Sequence, residues 1–172
     1  MDTSPLERII ASFQQKEKEI NQYIDALKDT ANRWNSILTA FKDNSSEFDD
    51  FKQDFPDLQS KLELEQASQC DSIISELSRY LLTYEHSLTQ SKAIFNNFKE
   101  KFKSKPLETP YTFPPAPEFI TTLILETAEA ISTVEKQINC RGLAIYELGN
   151  VEESINPVSI LRFIEKWNQF TL

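Results

Sequence analysis

From Leu6 onward, apolar side chains recur at alternating steps of four and three residues: Leu6, Ile10, Phe13, Ile20, Ile24, Leu27, Ala31, Trp34, Leu38 and Phe41, with Glu17 the one polar residue on the stripe. An isolated straight helix drifts about 20° per heptad from such a register, so a strict 3.5-residue repeat held this long predicts coiled-coil packing. Ser4 is a candidate N-cap, with Pro5 at the first helical position. The register fails between Asp43 and Asp57. Asp43-Asn44-Ser45-Ser46 reads as a break, Phe48, Phe51 and Phe55 follow in an acidic stretch, and Pro56 offers a fresh helix start. The second helix either continues from Ser46 or restarts at Pro56.

A second seam runs Cys70, Ile74, Leu77, Leu81, Tyr84, Leu88, Ser91, Phe95, Phe98 and Phe102, again in steps of four and three. Lys99, Lys101, Lys103 and Lys105 cluster at its end, where cations offset the partial negative charge of a helix C-terminus. Five of the eight prolines then fall within Lys105–Glu118 (Pro106, Pro110, Pro114, Pro115 and Pro117), which predicts an extended, semi-rigid connector. The third seam, Ile120, Ile124, Thr127, Ile131, Val134, Ile138, Arg141, Ile145 and Leu148, keeps the period with a less apolar lining, and Gly149-Asn150 is expected to end it. Asn156-Pro157 forms an N-cap and N1 pair for a short last helix that carries Ile160, Leu161, Phe163, Ile164, Trp167 and Phe170 across two faces. So wide an apolar surface must be covered by the rest of the chain or by a partner.

The expected fold is all-α, with long helices forming coiled-coil segments separated by a proline-rich linker. Its parts are an N-terminal heptad helix (1–44), a long coiled-coil helix (45–104), the proline-rich linker (105–118), a second coiled-coil segment (119–148), and a loop with a short C-terminal amphipathic helix (149–172). Bulky aromatics on the seams, such as Phe13, Trp34, Phe41, Tyr84, Phe95, Phe98 and Phe102, fit a slim two-stranded coil poorly and suggest three or four helices. A second segment roughly 70 Å long would outreach the shorter third one, leaving apolar seam for partner helices. The expected partner interface is Ile20, Ile24, Leu27, Trp34, Leu38 and Phe41 on the first segment, and Ile74, Leu77, Leu81, Tyr84, Leu88, Phe95, Phe98 and Phe102 on the second. It continues through Ile124, Ile131, Val134, Ile138, Ile145 and Leu148 to Ile160, Ile164 and Trp167.

Composition narrows the function. The 172 residues include only two glycines, Gly142 and Gly149, in neither a GxGxxG nor a GxxxxGK setting, which removes phosphate-cradling loops and dinucleotide fingerprints. The net charge of -9 makes nucleic acid and anionic membrane poor partners. No signal-like stretch or membrane span is expected, which fits the cytoplasm or nucleus. Cys70 and Cys140 make neither a disulfide framework nor a four-ligand zinc site and read as small apolar residues in helix interfaces. The single histidine, His86, has no second His or ExxH pair beside it and reads as a solvated surface residue. The acidic run Asp43, Glu47, Asp49, Asp50 and Asp54 lacks the central Gly of a calcium loop. No serine lies in a GxSxG setting. An enzyme, a cofactor and a small-molecule substrate are not expected.

From the proline segment onward the sequence resembles the coiled-coil region of the nucleoporin 58/45 family, subunits of the central-channel trimer of the nuclear pore. Ala116-Pro117 leads into the acidic-aromatic pair Glu118-Phe119 and the hydrophobic pair Leu123-Ile124, and Gln137-Ile138 follows Ile131 and Val134. After a polar loop, Ile155-Asn156-Pro157 is followed by Ile160, Ile164 and Trp167. The resemblance covers about residues 110–172. Cys140-Arg141-Gly142 falls where the family tends to have acidic residues and leucine, which weakens the seam there. The resemblance implies a structural subunit at the nuclear envelope whose coils pair with two sister channel nucleoporins and dock on an adaptor helix. With no Phe-Gly dipeptide in the chain, it implies an anchoring scaffold rather than the permeability barrier. Two alternatives stay open: a kinetochore, tether or cytoskeletal coiled-coil subunit, and a self-contained helical bundle that binds a peptide.

Overall fold

The computed structural model describes residues 2–42, 53–103, 117–150 and 155–170. Four α-helices account for nearly all of them: α1 (Ser4–Lys42), α2 (Leu58–Lys103), α3 (Pro117–Asn150) and α4 (Pro157–Asn168). No strand occurs among the described residues. The chain is all-α.

The helix starts follow local chemistry, with small shifts from expectation. At α1 the cap is Thr3, not Ser4: the Thr3 carbonyl accepts from the amides of Leu6 and Glu7 at 3.0 and 3.4 Å. The Ser4 amide, inside the first turn, donates to the Asp2 carboxylate at 3.0 Å. α2 restarts beyond Pro56, where the Phe55 carbonyl accepts from the Leu58 amide and the Asp57 carbonyl from the Lys61 amide. The acidic break between α1 and α2, with Phe48 and Phe51, lies mostly outside the described residues, and within it Phe55 is exposed. Pro106, Pro110, Pro114 and Pro115 of the expected linker also lie outside them. Pro117 and Glu118, assigned to that linker, are instead the first residues of α3, a position where the fixed φ of proline suits a helix.

At the other end of α3, Gly149 does not terminate the helix, which runs on to Asn150, and no described glycine has positive φ. α4 opens as expected at Asn156. Its side chain accepts from the Ser159 amide at 2.9 Å while the Ser159 hydroxyl accepts from the Asn156 amide at 3.0 Å, a reciprocal capping box.

The described helices fall into two units. Met1–Glu19 with Leu81–Asn139 form the first, and Ile20–Tyr80 with Cys140–Leu172 form the second. In the first unit, Leu6, Ile9 and Phe13 of α1, Leu81, Tyr84, Leu88, Ser91, Phe95 and Phe98 of α2, and Ile120, Leu123, Thr127, Ile131, Val134 and Ile138 of α3 are buried. The Phe13 and Tyr84 rings meet at 6.0 Å and 53°, and Lys92 pairs with Glu135 at 2.6 Å. In the second unit, Ile20, Ile24, Leu27, Ala31 and Trp34 of α1 and Cys70 and Leu77 of α2 are buried with Arg141, Ala144 and Leu148 of α3. Pro157, Ile160, Phe163, Ile164 and Trp167 of α4 complete that core, so the wide apolar surface of the last helix is covered within the chain.

The seams hold with local corrections. Ile9 rather than Ile10, Leu123 rather than Ile124, and Ala144 rather than Ile145 take the buried positions, each one residue earlier in its helix. A core-facing stripe wider than a strict two-position seam accommodates such steps. Leu38, Phe41 and Ile74 are half-buried and Phe102 is exposed, because Leu38, Phe41 and Phe102 fall in the last turns of their helices.

Candidate functional site

Most of the expected interface residues are buried inside the chain. Leu38, Phe41, Ile74, Ile124 and Ile145 are half-buried, and Phe102 alone is exposed. The surface that stands open is a different one, on the second unit.

There α1 and α2 run antiparallel: the Tyr23 and Tyr80 rings meet at 5.8 Å, and residues later in α1 face residues earlier in α2. Between them lies an open groove of about 1010 Å³. It is lined on α1 by Ala26, Asp29, Thr30, Asn32, Arg33, Ser36 and Ile37, and on α2 by Gln66, Gln69, Ser72 and Ile73. These faces flank the buried seams.

Local hydrogen bonds shape the floor. The Thr30 hydroxyl donates to the Ala26 carbonyl at 2.9 Å and accepts from Arg33 Nη2 at 3.1 Å, drawing the guanidinium along the helix rather than across the opening. Asp29 and Arg33, one turn apart, give the α1 wall one charge of each sign. Gln66 is only 8% exposed, and its Oε1 accepts no hydrogen bond among the described residues. A buried acceptor left unmet costs about 1–3 kcal/mol.

Other reactive groups are quiet. Burial pushes the Cys70 thiol up to about 11, Asp71 adds to the shift, and Arg33 opposes it. A thiol so protonated is a poor nucleophile. His86 is exposed on α2 with its Nε2 3.0 Å from Gln90 Nε2, as a surface histidine should be. Among the described residues, no three His, Cys, Asp or Glu side chains are grouped to hold a metal ion. No helix among them is long and apolar enough to cross a membrane.

Sequence reasoning passes over Gln66 and Thr30. The next step of the second seam back from Cys70 is three residues and lands on Ala67, so Gln66 lies one residue off the register and the pattern gives no signal for it. Arg141, a weak point of the third seam by its sequence, is instead fully buried with its guanidinium carbon 5.1 Å from the Trp167 ring centroid. No family model, curated protein or solved structure matches the chain.

Proposed function

We propose that this chain is a structural subunit that works by binding helices of other proteins, and that its assembly is the central-channel trimer of the nuclear pore. The observation that carries the general reading is the open groove between α1 and α2 of the second unit, beside seams that are already filled. A groove between two helices is a surface on which a further helix can pack. The choice of assembly draws its support from the nucleoporin 58/45-like pattern between about residues 110 and 172, including the capped start of α4 at Asn156.

Co-expression with the two sister coiled-coil subunits from the same organism tests the reading. A 1:1:1 complex by light scattering, together with a tagged copy at the nuclear rim, is the expected result. A tagged copy on chromosomes or along the cytoskeleton, with no such complex, would transfer the chain to another coiled-coil assembly.

One observation favours a second reading, a self-contained bundle that captures a peptide. Each unit buries a core of its own, and the apolar face of α4 is already covered. Under that reading the purified chain is a cooperatively melting monomer, and it binds a single helical peptide without a third component.

A further inference from the structure

We draw no further inference here: the strongest candidate, the open groove between α1 and α2 of the second unit, carries nothing because no feature of the structure shows what covers it.

Discussion

The guanidinium of Arg141 lies over the ring of Trp167, 5.1 Å from carbon to centroid, with both side chains completely shielded from solvent. The contact joins α3 to α4 within the second unit. A guanidinium is less strongly hydrated than an ammonium and stacks on aromatic faces, which contributes to the tolerance of a permanent charge there. Trp167 also contacts Phe163, at 5.5 Å between ring centroids.

Trp167→Ala should therefore lower stability by about 3–5 kcal/mol, combining a large cavity with loss of the ring over a buried charge. Chemical denaturation measures this. A double-mutant cycle with Arg141→Met and Trp167→Leu should give a coupling of about 0.5–2 kcal/mol, and additive effects would remove the cation–π contact from the account.

Heptad burial separates leucines of equal size. Leu27 and Leu77 are fully buried, whereas Leu64 and Leu82 are 72% and 68% exposed. Leu27→Ala and Leu77→Ala should each cost about 2–5 kcal/mol, and the same change at Leu64 or Leu82 should stay within about 0.5 kcal/mol. Equal costs at all four sites in urea titrations would mean the seam register is wrong.

The Cys70 thiol carries a pH signature. Its pKa is raised from 9.0 to about 11 in the folded chain, so the folded state holds a proton that the unfolded state releases between those values. Stability from this group is fully present below pH 9 and is lost as the pH climbs towards 11. Cys70→Ala should flatten that part of the pH–stability curve. At about pH 8, below the ordinary thiol pKa, iodoacetamide should modify the half-buried Cys140 well before Cys70, which should react only on unfolding.

Gly142 is exposed inside α3, and a Cβ built there meets nothing within 4 Å. With its φ in the ordinary range, Gly142→Ala should stabilise the chain by up to about 1 kcal/mol, read as a rise in melting temperature.

Much of this architecture is legible along the chain. Heptad spacing locates the long helices, because a buried stripe at 3.5 residues leaves a pattern that single substitutions do not erase. The Asn156 cap is equally plain, since an Asn-Pro pair ahead of an apolar run has few other uses. Two kinds of feature escape. One-residue choices such as Ile9 over Ile10 or Ala144 over Ile145 depend on which neighbouring helix lies nearer, and side-chain identity does not report that. The groove escapes because its walls hold polar and small residues: Thr30 satisfies its own hydroxyl on the Ala26 carbonyl, and Gln66 is buried by position rather than by character. Arg141 is misleading for the same reason, since it packs against Trp167, which arrives from a separate helix that its own seam does not report.

The division into two units has a practical meaning for anyone cutting the gene. The chain passes from one unit to the other after Glu19, Tyr80 and Asn139, and each crossing lies within a helix: α1, α2 and α3 in turn. No single contiguous stretch encodes either unit. A fragment that stopped at Asn139 would keep the first unit's residues but strip α4 and Arg141 from the core of the second. Domain mapping by truncation would then report sticky, aggregated products and mistake them for binding. Point substitutions in the intact 172-residue chain avoid that artefact.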